Sequence, residues 1–143
     1  MDFGGGVEIP FVNHLGFELV LFEGGRSEIR YAPAPEHLNS FAVLHGGAVM
    51  TLLDVTMAVA ARSARQDSGI VTIEMKTSFL LPAKGAVVGK GHLLHSTTKM
   101  AFAEGKVYDA EGRLCAHSTG TFKYVQRAPA AAKAESSGRI ATD

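Results

Sequence analysis

The chain has 143 residues, in which 14 Lys and Arg balance 14 Asp and Glu, and one cysteine, Cys115. That length suits a single domain able to bury its own core, and the charge balance gives no electrostatic case for nucleic acid or an anionic membrane surface. A lone cysteine excludes an intrachain disulfide, and the opening MDFGGGVEIP lacks the basic and apolar regions of a secretory signal, so a cytoplasmic protein is expected.

A short lead, Ile9 to His14, precedes Gly16. GFELVLFEGG then has the pattern of a strand closed by a Gly-Gly turn, and SEIRYAP is its hairpin partner, ending at Pro33. The loop APAPEHLNSFAV leads into a long apolar segment, expected to be helical from Gly46 to about Gln66 and stopped by Asp67-Ser68-Gly69. Val43 to Ala61 approaches the length of a membrane span, but it carries His45, two glycines and Asp54, so it reads as a buried helix. Three strand-like runs follow, IVTIEMKTSFLLP, AVVGKGHLLHS and MAFAEGKVYDA. A Glu111-Gly112 turn leads to a last one, RLCAHSTGTFKYV. Residues 1–125 are expected to form one domain, and 126–143 a flexible Ala/Ser-rich C-terminal tail.

Two strands, one long helix and four more strands predict an α+β fold. Parallel strands would need more crossover helices, so a mostly antiparallel sheet covered by a central helix fits better. The helix is apolar around its whole circumference, and such a helix is buried all round. One flat sheet covers a single face. The rest requires a curled sheet, a second subunit, or both.

Asp54 is the only charge between Gly46 and Ala61. A buried carboxylate is either hydrogen-bonded in a purely structural role or held in an apolar cleft as a base or nucleophile. His45-Gly46-Gly47 lies at the helix entrance, where free backbone N–H groups and the positive end of the dipole favour a carbonyl oxygen or an anion. The same glycines also suit a plain loop-to-helix turn. Gly46 and Asp54 are separated by about 12 Å of helix rise. A single reacting carbonyl needs its oxyanion donor and its base each about 3 Å away. If both residues act on it, they come from different subunits, and the protein is at least a dimer.

Asn39, His45-Gly46-Gly47, Asp54 and TIEMKTSFLLPA, continued through GKGHLLHSTTKMAFAEGKVYDAEGRLCAHSTGTF, resemble the hotdog-fold acyl-CoA thioesterases of the phenylacetate-degradation type. The resemblance extends over roughly Asn13 to Val125. It implies a long central helix wrapped by a curved antiparallel sheet, assembled as a homodimer or homotetramer. It also implies hydrolysis of an acyl- or aroyl-CoA to the acid and CoA, with CoA ester as substrate and no metal or other cofactor. Gly46 N–H would polarise the thioester carbonyl, and Asp54 of the other subunit would be nucleophile or general base. Asn39 would support the carboxylate or the attacking water, and His45 would orient the loop or contact the thioester, with Gly47 beside it on the substrate. Thr72 stands where one branch of the family has a water-holding serine. Ala58 stands where another branch has a hydroxyl one turn after the acid. Ser96, Thr97 and Lys99, in HSTTKM, would line the nucleotide path, where many members carry arginine.

Other features carry less. His92 and His95, three apart in a strand, would face opposite sides, and His37 and His117 lack metal-site spacing. GAVVGKG departs from a phosphate-binding loop both in spacing and in the residue after its lysine, and no G-x-S-x-G is present. The alternatives to a hydrolase are a non-hydrolytic acyl-CoA-binding hotdog protein, a hotdog hydratase or dehydratase, and an oligomer in which Asp54 is structural.

Overall fold

The computed structural model describes residues 1–127. A short helix, α1 (Pro10–Leu15), is followed by β1 (Glu18–Glu23), β2 (Arg26–Tyr31), the long helix α2 (Gly46–Ser63), β3 (Ser68–Phe79), β4 (Val87–Ser96), β5 (Met100–Asp109) and β6 (Leu114–Gln126). The strands form one antiparallel sheet in the order β1-β2-β4-β5-β6-β3. All six strands contact α2, so the sheet curves around the helix as expected. Among the described residues, no helix is long and apolar enough to cross a membrane.

Differences from the sequence expectation are local. The lead is the helix α1, with Pro10 in its first turn and Gly16 ending it at φ +77° in the left-handed region. Proline at a first helical position removes only an N–H that has no partner there anyway. The central helix ends at Ser63, and the chain turns through Ala64 and Arg65. Ser68 and Gly69, expected to stop the helix, already pair with Gln126 and Val125 as the start of β3. Gln126, placed in the tail by the sequence, closes β6, and Arg127 donates to Gly5 O at 2.7 Å and Gln66 O at 3.3 Å. The rest of the expected tail lies outside the described residues.

The close approach of helix to sheet depends on missing side chains. Gly89 and Gly91 of β4 share a face, and Gly105 of β5 pairs across from Gly91. A Cβ at Gly89 would lie 2.6 Å from Thr56 Oγ1, and one at Gly105 would lie 3.0 Å from Met57 Cγ. A Cβ at Gly91 would collide with Thr56 O and Ser27 Oγ. The glycines of GKG therefore make room for α2, and Ser27 Oγ donates to Thr56 O at 2.6 Å beside them. Around this contact Leu52, Leu53, Met57, Ile29, Val107 and Phe122 are fully buried.

The sheet does not close over the whole helix. Gly47 and Met50 are exposed, and Thr51, Asp54 and Ala58 are half-buried, forming a stripe at helical spacing on the side away from the sheet. β3, twelve residues long, has a neighbour on one side only among the described residues and is an edge strand of this sheet.

Candidate functional site

The loop from β2 to α2 is built to start the helix at a fixed place. Tyr31 OH and Ala34 N–H both bond His37 Nδ1, and His37 O accepts from His45 N–H at 2.9 Å. Asn39 Oδ1 accepts from Phe41 and Val43 N–H, and Asn39 N–H bonds Val43 O. With its carbonyl oxygen turned into the loop, the Asn39 amide NH2 carries no bond among the described residues. Asn39 and Gly46 together line a cleft of ≈ 330 Å³ walled by Val43, Val49, Phe79 and Leu80.

His45 caps α2: its Nδ1 accepts from Gly47 N–H at 2.8 Å, and its carbonyl accepts from Ala48 and Val49. Nδ1 as acceptor puts any neutral-ring proton on Nε2. Gly46 N–H has no acceptor among the described residues, so it is the free donor at the positive end of the helix. The two glycines are thereby distinguished. A side chain at Gly47 would come within 3.0 Å of His45 Nδ1 and crowd the cap. The N–H of Gly47, a residue expected to lie on the substrate, is occupied by His45, which leaves Gly46 N–H as the unoccupied backbone donor of the two among the described residues.

Asp54 lies two turns further along α2 and faces a different cleft. Thr72 Oγ1, on β3, donates to Asp54 Oδ1 at 2.6 Å, leaving Oδ2 for another donor. Burial pushes the Asp54 carboxyl above the ordinary aspartate range, and the Thr72 bond opposes that shift. The cleft, ≈ 440 Å³, runs between α2 and β3 and is walled by Val7, Ile9, Val55, Val59, Ile70 and Val125. Arg62 and Arg127 also line it.

Within one chain the expected residues therefore form two groups, Asn39, His45 and Gly46 at one end of α2 and Asp54 with Thr72 in the other cleft. Ser96, Thr97 and Lys99 form a third. They make the β4–β5 turn, where Thr97 Oγ1 accepts from Met100 N–H at 3.0 Å, so that hydroxyl is engaged in the turn. Ala101, Phe122 and Thr72 are successive cross-strand partners, which puts this turn at the same end of the sheet as Thr72, two strands away. Arg65 was not singled out from the sequence. Its guanidinium donates to Thr97 O and Thr98 O and lies 3.9 Å from the centre of the Tyr124 ring. Arg62 was also missed, although Asp54, Ala58 and Arg62 recur every fourth residue along one side of the helix. His92 and His95 do not follow simple alternation, because a bulge lies between Leu93 and His95.

Known proteins share this architecture. The sequence pattern of the family described as "Thioesterase superfamily" matches residues 41–116. A Saccharolobus solfataricus protein named "Putative esterase SSO2140" is 31% identical over 120 residues, which are 83% of this chain and 85% of that protein. The structure of a conserved protein from Pseudomonas aeruginosa, PA5202, superposes with a TM-score of 0.78 at 30% identity, covering 82% of this chain and 95% of that one. The E. coli PaaI protein, from the phenylacetic acid degradation operon, gives a TM-score of 0.77 at 17% identity over 82% of this chain and 85% of its own, a likeness of fold alone.

Proposed function

The chain belongs to the thioesterase superfamily and has its hotdog fold, and from that premise we propose that it hydrolyses acyl- or aroyl-CoA esters at sites shared between two subunits. One observation carries this. A desolvated carboxylate held by Thr72 and a free helix-terminal N–H occupy different clefts of one chain. They are separated by about 12 Å of helix. Neither can complete a hydrolytic site alone, but two antiparallel copies of α2 bring one subunit's Gly46 beside the other's Asp54. The partly uncovered stripe of α2 and the free edge of β3 are surfaces through which such a pairing can form.

In such a site Gly46 N–H binds the thioester carbonyl oxygen, and its bond strengthens as charge develops there. Asp54 Oδ2 either takes a proton from a water that attacks the carbonyl carbon or attacks that carbon itself to form an anhydride. On either route the C–S bond breaks, CoA leaves as the thiolate, and water supplies the oxygen of the product acid. Thr72 fixes the carboxylate, and the Asn39 NH2 from the Gly46 side can hold water or the second carboxylate oxygen. His45 contributes by capping α2, which leaves Gly46 N–H unoccupied.

Thiol release from a panel of acyl- and aroyl-CoAs, with wild type beside Asp54→Asn, tests the proposal. Removing the carboxylate while keeping its shape is expected to lower kcat at least about a hundredfold, the size of a lost general base, with the assembly unchanged. CoA esters that bind but are not cleaved by the wild type would make this a binding protein instead.

A further inference from the structure

The cleft that holds Asp54 has a second polar end. α2 carries Asp54, Ala58 and Arg62 on one side, and all three line the cleft. From Asp54 to Arg62 is another eight residues, about 12 Å of rise, with the small Ala58 between them. Arg62 is 5% exposed. It donates to Phe3 O at 2.6 Å and Gly4 O at 2.8 Å. Arg127 converges on the same place from the end of β6, donating to Gly5 O. A Cβ built on Gly5 would lie 3.7 Å from Arg62 Nη1 and 3.9 Å from Arg127 Nη1, so the two guanidinium groups flank one point. Among the described residues, every acceptor they bond is a neutral carbonyl. Asp2, the nearby acid, is already bonded by Gly4 and Gly6 N–H. A guanidinium has five N–H donors, and neither arginine uses more than two in these bonds. The result is an apolar channel with a carboxylate at one end and, among the described residues, two guanidinium groups facing a single nearby acid, Asp2, at the other.

We infer that Arg62 and Arg127 form a subsite for an anionic group of the substrate, a carboxylate or a phosphate, at the end of the cleft remote from Asp54. The inference rests on the thioester reading of that cleft. A planar, permanently charged guanidinium suits either anion through paired N–H bonds. The anion has two possible sources, a terminal carboxylate on the acyl chain or a phosphate of CoA. The walls contributed by Val7, Ile9, Val55 and Val125 accept the apolar stretch between the reacting carbon and that charge.

Calorimetric binding to Asp54→Asn protein, which leaves the ester intact, separates the sources. The ligands are adipoyl-CoA, hexanoyl-CoA and hexanoyl-pantetheine, each measured with and without Arg127→Gln. If the acyl carboxylate is bound, adipoyl-CoA binds about tenfold more tightly than hexanoyl-CoA, as expected of a charge-assisted bond. Arg127→Gln then abolishes that preference and leaves hexanoyl-CoA unchanged. If a CoA phosphate is bound, Arg127→Gln weakens both CoA esters by a similar factor and leaves hexanoyl-pantetheine unchanged. Arg127→Lys, which keeps the charge, retains part of the effect in either case. Unchanged binding of all three ligands overturns the inference. So does a uniform weakening accompanied by a lower melting temperature, which would make Arg127 only a fastener for residues 3–5. Wild-type turnover is read separately: the ligand pattern without hydrolysis would overturn the enzymatic proposal and leave the anion subsite standing.

Discussion

Mixing two inactive variants gives the sharpest test of shared sites. Asp54→Asn removes the carboxylate and leaves Gly46 intact. Gly46→Pro removes the N–H, and the local structure accepts it. Residue 46 is the first of α2, where proline is favoured. His45 has ψ 138°, the extended value required before proline, and a Cβ at residue 46 meets Phe79 at an ordinary 3.5 Å. Loss of one oxyanion donor lowers kcat by about 10²–10³, so each variant alone is nearly silent. In a hybrid dimer, one site combines Gly46 of the Asp54→Asn chain with Asp54 of the Gly46→Pro chain, and the other site carries both defects. Random reassortment of equal amounts makes about half the dimers hybrid, so about one quarter of all sites are intact. CoA thiol release should recover to roughly a quarter of the wild-type rate. Differently tagged chains, co-purified through both tags, confirm that hybrids exist and should have about half the wild-type activity. Hybrids with no more activity than their parents would refute the shared site.

Three further outcomes rest on particular contacts. Burial raises the Asp54 carboxyl above its unfolded-state value, so the charged form is disfavoured in the fold and stability falls as pH rises through that interval; Asp54→Asn should therefore raise the melting temperature at neutral pH by about 4 °C, for a gain near 1 kcal/mol, and lose that gain below about pH 4. Thr72→Val removes the bond that holds the carboxyl down, so the acidic limb of kcat/KM should move to higher pH and the rate at neutral pH fall roughly tenfold, while Thr72→Ser leaves both close to wild type. Gly91→Ala forces a methyl group into Thr56 O and Ser27 Oγ and should cost about 2 kcal/mol or more in urea unfolding, whereas Gly112→Ala, with open space around it at φ +79°, should cost less.

Much of the fold was legible because its signals are local. Gly46 begins α2 as expected from the small-residue turn, and β4, β5 and β6 fall within a residue or two of the expected runs. Asp54 stood out because it is the one charge in an apolar helix. The features that stayed hidden depend on distant partners. α1 has six residues, too few to show a period, and Phe3, buried by the end of α2, gives no hint of that contact in the chain. Ser68 and Gly69 look like a turn but become strand because Gln126 and Val125 pair with them. Arg62 comes immediately after the apolar segment and looks like an ordinary charged helix end. Only the N-terminal carbonyls it binds reveal it as part of the cleft. The glycines of GKG had a visible pattern but no local meaning, since their purpose is the backbone of α2.

The same division explains why a helix this apolar retains one carboxylate. Three sides of α2 are satisfied by the sheet, where glycines let the backbones approach. On the remaining side Met50 is 38% exposed, and the neighbouring loop and edge strand present Phe41 at 82% and Ile73 at 53%. Burial within one chain already raises the Asp54 carboxyl; in the dimer proposed above, the second chain on that side would exclude the remaining water and cover the apolar groups at once. On that proposal, assembly would add to the desolvation of Asp54, because the surface buried in the pairing is the surface that surrounds it. The Thr72 hydroxyl favours the charged form and so opposes the effect of burial. A leucine in place of Asp54 would serve association better, and a fully solvated aspartate would be a weaker base. Asp54 at the edge of the apolar face, tied to the edge strand, is placed so that in the proposed dimer the hydrophobic contact would itself raise the basicity of the proposed base.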